Sequence, residues 1–274
     1  MSRSSALPSS LILVGAGKMG GAMLEGWLNV GLSPDRVTVL DPHPSAELSA
    51  LCDRNRIDLN PTGPGTPEVL VLAVKPQLLD AAAATANALV GGETLVVSIL
   101  AGKTIADLQA RLPRARAIVR AMPNLPASIG RGATGACANE AVTARQRETA
   151  DALLSAVGIV EWVDREDLID AVTAVSGSGP AYVFHLVECL AEAGAAAGLP
   201  EELATRLARA TVSGAGALLE HSELAPGRLR ENVTSPGGTT AAALEVLMRR
   251  PSGMPDQIKE AVAAAKRRAG ELSG

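Results

Sequence analysis

The sequence predicts an α/β chain: an N-terminal doubly wound parallel sheet of the Rossmann type, followed by an all-helical C-terminal domain. Three observations predict it. Short, continuously apolar runs alternate with helix-compatible stretches up to about residue 164, as in parallel strands buried on both faces. A glycine-rich turn follows the first of these runs. Beyond residue 164 the strand-like runs cease and long helical patterns take over, so the helices are segregated from the sheet.

The first run covers residues 11–14 and ends at Gly15; a helix over 18–30 should follow. Further strands are expected at 37–40, 69–74, 95–99 and 117–119, with 134–138 and 159–163 as edge strands. The helical half should contain 168–176, 181–197, 201–220, 239–248 and a last helix from about 255. Over 181–197, Val183, Leu186, Val187, Leu190 and Gly194 share one face, while His185, Glu188 and Glu192 lie opposite,. Gly198 and Pro200 stop that helix and start the next,. Ser176-Gly177-Ser178-Gly179-Pro180 reads as a helix–helix corner. The domain boundary falls near residues 164–168, which divides the chain into 1–165 and 166–274.

Composition narrows the function classes. Apolar residues make up 47% of the 274, but aromatic ones only 1%, so the core must be built from Ala, Val, Leu and Ile. Small side chains bury little area each, and area stabilises at roughly 25 cal/mol per Å²; a partner subunit would supply the missing burial. The net charge is -4 with acids and bases intermixed, and no basic run of the kind nucleic acid or an anionic membrane would need is present. Cys52, Cys137 and Cys189 form an odd, unpatterned set that fits a reducing compartment,. His43, His185 and His221 lack paired-ligand spacing, so no metal is expected,. Residues 1–10 are polar and the run at 11–14 is too short for a signal or membrane segment,. A cytoplasmic protein is the expectation.

Gly15-Ala16-Gly17-Lys18-Met19-Gly20 has the G-x-G-x-x-G spacing. Glycine makes the tight turn and lets backbone N–H groups approach a pyrophosphate at a helix N-terminus. The motif follows a strand, opens a helix, and is followed about 20 residues later by Asp41 at the end of the next strand, the order of a dinucleotide site. A carboxylate there accepts hydrogen bonds from a ribose 2′-OH and repels a 2′-phosphate. No Arg lies in residues 41–45, so the residues lean towards NADH; Ser45 or a protonated His43 leaves NADPH open. Two further strand ends should line the crevice: Ala73, Val74, Lys75 and Pro76 after one strand, Ala101 and Gly102 after the next. Lys75 is assigned to cofactor positioning, against the alternative of a surface charge.

A second constellation, Ser235-Pro236-Gly237-Gly238-Thr239-Thr240, lies between the helical stretch 229–233 and the helix from 239. Two glycines free the backbone, the hydroxyls can cap the helix, and successive N–H groups can face one anion. Read alone, it is either a carboxylate cradle or a plain helix cap. Glu166 and Glu223, read in isolation, are solvated or capping acids.

Taken together, 15–20 with Met19, 73–77, Arg120-Ala121-Met122-Pro123-Asn124, 174–182 and 232–240 resemble pyrroline-5-carboxylate reductases. The matches run in order from residue 11 to about 249, and the Ser-Pro-Gly-Gly-Thr-Thr segment is the most specific. The resemblance implies hydride transfer from NADPH or NADH to the C=N bond of a cyclic imino acid, 1-pyrroline-5-carboxylate, giving proline. It implies a helical domain that interlocks with its partner's into a homodimer, able to assemble further into a decamer. It also implies site roles. Thr240 supplies the hydroxyl near the imine nitrogen, Ser235 and Thr239 with Gly237 and Gly238 hold the carboxylate, and Glu166 and Asn232 face substrate and cofactor, with Glu223 nearby. Leu125 stands where the pattern usually has Thr, and Leu100 where Ala is common beside the nicotinamide.

Such a reaction needs no strong protein acid if the iminium binds already protonated. The sequence suits this: no Lys lies between Lys103 and Lys259, and no Cys–His arrangement is evident. Two rivals share some features. A β-hydroxyacid dehydrogenase would need a Lys in the helical domain, which is missing. A non-catalytic dinucleotide-binding module would leave the 235–240 loop with no role beyond capping.

Overall fold

The computed structural model describes residues 6–273; residues 1–5, half of the polar start, and Gly274 lie outside the described residues. Eight strands form one sheet: β1 (Leu11–Val14), β2 (Val37–Leu40), β3 (Asp58–Leu59), β4 (Val69–Leu72), β5 (Leu95–Ser98), β6 (Ala117–Met122), β7 (Gly132–Ala138) and β8 (Gly158–Trp162), in the order β3-β2-β1-β4-β5-β6-β7-β8. β1 pairs in parallel with β2 on one side and β4 on the other. The order therefore reverses beside β1, and the crevice at the carboxyl ends of β1 and β4 is where such sheets bind ligands. Five helices accompany these strands: α1 (Lys18–Asn29), α2 (Ala46–Asn55), α3 (Leu79–Leu89), α4 (Ile105–Arg111) and α5 (Ala144–Leu154).

Alternation along the strands builds two cores. Leu13, Val39, Val71, Val97 and Val119 join Met23, Leu24 and Trp27 of α1 and Leu153 and Leu154 of α5 in one cluster. Ile12, Val14, Leu70, Leu72, Val96 and Ile118 join Leu79 and Ala86 of α3 and Leu108 of α4 in the other. Trp27 is fully buried, and its Nε1–H donates to the Leu153 carbonyl at 2.9 Å.

Several expectations are corrected. The 134–138 strand is not an edge: β7 lies between β6, to which it is antiparallel, and β8, to which it is parallel. β8 forms the edge, as expected of 159–163, with alternate residues exposed. β3, at the other edge, is two residues long and too short to leave a periodic signal. The 176–180 segment joins two helices. The helix α6 (Leu168–Val172) passes into a π-helical turn over Thr173–Gly177, and α7 (Gly179–Ala196) begins two residues later, with Pro180 in its first turn where no N–H is needed,.

The chain divides into two compact units, Met1–Gly177 with Lys266–Gly274, and Ser178–Ala265. The first runs past the expected boundary near 164–168 because α6 packs onto the sheet: a Cβ on Gly135 would sit 2.5 Å from Val172 Cγ1, and Asn124 Nδ2 donates to the Ser176 carbonyl at 3.0 Å. The second unit consists of α7, α8 (Glu201–His221), α9 (Pro226–Asn232), α10 (Thr239–Leu247) and most of α11 (Met254–Ser273). Gly194 lets α7 approach α8, where its Cβ would meet Ala204 Cβ at 3.1 Å.

Gly26 tests the packing of α1, because a Cβ there would lie 2.6 Å from Val157 Cγ1 and 3.1 Å from the Ala156 carbonyl oxygen. Gly26→Ala should destabilise the protein by about 1–3 kcal/mol through overpacking, read as a lower urea midpoint; an unchanged midpoint would contradict this packing.

Candidate active site

The glycine turn has a different requirement at each glycine. Gly15 has φ +85, and a Cβ on it would lie 2.7 Å from the Val74 nitrogen. A Cβ on Gly20 would lie 2.5 Å from the Gly15 carbonyl oxygen and 3.2 Å from Ala73 Cβ. The turn is thus seated on the end of β4, where Ala73 N–H donates to the Val14 carbonyl at 2.8 Å. Gly17 differs: a Cβ there would meet nothing within 4 Å. It is the N-cap of α1 and makes no side-chain cap. The first-turn N–H groups of Lys18, Met19 and Gly20 lie at the positive end of a 12-residue helix whose N-cap is open, a receptor for a pyrophosphate. A dinucleotide fits this cradle.

Asp41 is fixed against the same turn. Its Oδ2 accepts from Ala16 N–H at 2.8 Å and its Oδ1 from His43 N–H at 2.9 Å. Asn60, which the sequence reading missed, holds the Asp41 backbone from both sides, accepting from its N–H at 2.9 Å and donating to its carbonyl at 2.7 Å. Ser45 is occupied as the N-cap of α2, accepting from Leu48 N–H at 3.2 Å, and His43 is exposed. Lys75 is exposed at the start of the turn Pro76–Leu78.

The end of β5 departs from expectation. Ala101 is exposed, but Gly102, at φ +68, turns its missing Cβ towards Leu272 of α11, 3.0 Å from that residue's Cβ. Leu100 is 2% exposed and belongs to the second core. Leu125 is 53% exposed, on a short turn beside Asn124.

Glu166 is a capping acid, though not for the helix that follows it. Its Oε1 accepts from Ile105 N–H at 2.7 Å, capping α4, and lies 3.0 Å from Arg120 Nη1. The Arg120 side chain is 5% exposed, and its Nη2 reaches Asp170 Oδ1 at 3.4 Å. A planar guanidinium matches two carboxylates in a fixed fork.

The 235–240 turn lies in the other unit. Gly237 has φ +69, and Gly238 N–H donates to the Ser235 carbonyl at 3.0 Å. Gly238 is the N-cap of α10 and no side chain caps it; the expected hydroxyl cap is absent because the glycine itself occupies the cap position. Thr239 and Thr240 open the helix with Thr240 half-buried. Asn232 ends α9, and Glu223 is exposed in the loop before it.

One arrangement overturns the expectation of no Cys–His pair: His185 Nε2 lies 3.6 Å from Cys189 Sγ on α7. Its signal was the four-residue spacing of the two residues. Among the described residues, no group of three or more His, Cys, Asp or Glu could hold a metal ion, and no helix is long and apolar enough to cross a membrane.

A doubly wound sheet with this glycine turn and a fixed acid after β2 defines a dinucleotide-binding oxidoreductase fold joined to a helical unit. The family model described as "Pyrroline-5-carboxylate reductase dimerisation" matches residues 166–272, and "NADP oxidoreductase coenzyme F420-dependent" matches 10–102. A pyrroline-5-carboxylate reductase of Pseudomonas aeruginosa is 40% identical over 265 residues, covering 96% of each chain. The structure of the Coxiella burnetii pyrroline-5-carboxylate reductase superposes with a TM-score of 0.90 at 36% identity, covering 97% of this chain and 99% of that one. The Plasmodium falciparum pyrroline carboxylate reductase with NADP bound gives 0.78 at 26%, covering 97% and 98%. The chain belongs to the pyrroline-5-carboxylate reductase family.

Gly17→Ala separates binding from folding. Its stability should change by less than about 1 kcal/mol, while dinucleotide affinity falls at least about tenfold because the methyl enters the pyrophosphate approach. Titration of reduced-nicotinamide fluorescence beside a thermal melt reads both; unchanged affinity would remove Gly17 from the site.

Proposed function

We propose that the chain reduces 1-pyrroline-5-carboxylate to proline, with hydride from a reduced nicotinamide dinucleotide. The observation that supports this best is the uncapped, glycine-opened N-terminus of α10, a receptor for a small carboxylate,. In this reading residues 1–165 bind the dinucleotide and 166–274 serve dimerisation and substrate binding.

A bound dinucleotide supplies the hydride; the protein's residues orient the partners. The N–H groups of the 17–20 turn hold the pyrophosphate, Asp41 accepts from the ribose hydroxyls, and the strand end from Ala73 to Pro76 with Ala101 lines the nicotinamide half. Gly102 acts through the backbone turn, its Cβ side being taken by Leu272. The N–H groups of Thr239 and Thr240 and the Ser235 hydroxyl hold the substrate carboxylate. The Thr240 hydroxyl accepts from the iminium N–H and, once hydride addition has given the amine, relays a proton to it through water. Glu166, its Oε1 already engaged, contributes through Oε2; Asn232 serves the cofactor and Glu223 the substrate. A substrate that binds protonated needs no metal and no strong acid. Holding the donor and acceptor carbons about 3–3.5 Å apart can supply up to about 7–11 kcal/mol.

The working form is a homodimer, able to build a decamer, in the cytoplasm. Support comes from the apolar surface of the helical unit: Val183, Phe184 and Leu190 of α7 and Leu218 and Leu219 of α8 are all exposed in the single chain,. The Asp41 carboxylate favours NADH, although the Plasmodium relative holds NADP.

Consumption of reduced nicotinamide in the presence of pyrroline-5-carboxylate, and then of its six-membered analogue, tests the reaction; no turnover with either cofactor would refute it. Thr240→Ala should lower kcat/KM by about one to three decades with cofactor affinity intact, and a loss below about threefold would end its role. Asp41→Asn keeps one acceptor, for Ala16 N–H, gives up the one for His43 N–H, and removes the charge. It should raise the NADPH-to-NADH ratio of kcat/KM by about tenfold or more; a constant ratio would show that the carboxylate does not meet the 2′ position.

A further inference from the structure

The edge strand β3 stops one residue short of where Asp41 needs it. It ends at Leu59, whose register partner is Val39, and Asn60 N–H donates to the Val39 carbonyl at 2.8 Å. The chain then turns away. Asn60 has φ +52, a left-handed conformation that Asn adopts more readily than most residues,, and Pro61 follows with no N–H to pair,. The Asn60 side chain takes the place of the missing strand residue. Its Oδ1 accepts from Asp41 N–H at 2.9 Å and its Nδ2 donates to the Asp41 carbonyl at 2.7 Å, the acceptor and donor that a peptide group would offer.

The Asp41 carboxylate is held as well. Its Oδ2 accepts from Ala16 N–H in the glycine turn and its Oδ1 from His43 N–H, and each oxygen keeps acceptor capacity for a ribose hydroxyl. A 2′-phosphate would instead meet a negative charge. Residues 41–45 contain no Lys or Arg to offset it, and Ser45 is taken up in capping α2. Repulsion between exposed charges is weak if one of them can retreat into water and salt. An acid clasped through its backbone cannot retreat, so the clash with the wrong coenzyme stays in force.

We propose that Asn60 sets coenzyme preference as a positioning residue acting through Asp41: its amide clasp holds the carboxylate at the 2′ position and denies it room to yield to a 2′-phosphate. The proposal rests on the reading that a nicotinamide dinucleotide occupies the glycine turn. It goes beyond the charge of Asp41, because it makes discrimination depend on a residue that need not touch the coenzyme.

The test is fluorescence titration of the native assembled protein with NADH and with NADPH, in the absence of the imino acid. Asn60→Gly removes the amide and keeps the positive φ accessible. It should lower the preference for NADH over NADPH by about fivefold or more, the order of one hydrogen bond. In an Asp41→Asn background no charge remains to be held, and there Asn60→Gly should shift the ratio by less than about twofold. An unchanged ratio in Asn60→Gly would overturn the proposal. So would equal weakening of both coenzymes, as a loss of packing alone would give, or the same shift in the Asp41→Asn background. Failure of the unsubstituted protein to bind either dinucleotide would instead remove the site itself, and both readings with it.

Discussion

Where β1 ends, the backbone must turn against the end of β4 at a distance no side chain tolerates. Gly15 lies so close to Val74 that a Cβ would overlap the backbone nitrogen, and Gly20 lies as close to the Gly15 carbonyl. This approach aims the first turn of α1 outward at Gly17, where the space is open. It also brings Ala16 N–H within reach of Asp41, so the acid of β2 and the pyrophosphate cradle are fixed to one another. The site depends on this contact between two parallel strands and one glycine turn.

A second fixed point lies on the same sheet. Arg120 is buried, and it is matched by Glu166, just before α6, and by Asp170 within α6. Taking a guanidinium out of water is costly unless it is paired and hydrogen-bonded, and here one carboxylate also caps α4 through Ile105. The arrangement ties the loop after β5 to α6, which explains why the sheet unit extends beyond its last strand. Glu166 therefore has a structural task in addition to the role proposed for it at the substrate.

The helical unit has the opposite character. α7 has no buried residue and α8 buries only Ala204 and Ala208. Unpartnered apolar helices of this kind cannot stabilise themselves in water and need a second apolar surface. The match of 166–272 to a dimerisation model agrees with that need. A chain with 1% aromatic residues buries little area per side chain, so its helices gain from being covered by a partner.

Local signals carried much of this protein. Strands β1 and β2, the start of α1, the three glycines of the first turn, the acid after β2 and the glycines before α10 were all legible, because period, positive φ and helix-end chemistry are written within a few residues of each other. Other features were decided only by tertiary packing. Glu166 meets Ile105 across 61 residues, Leu100 packs into the second core, Gly102 faces Leu272, and β7 is interior because β8 pairs beyond it. The physical reason is common to all four: which distant segments come into contact depends on how whole layers pack, and such a contact leaves no mark in the spacing of neighbouring residues.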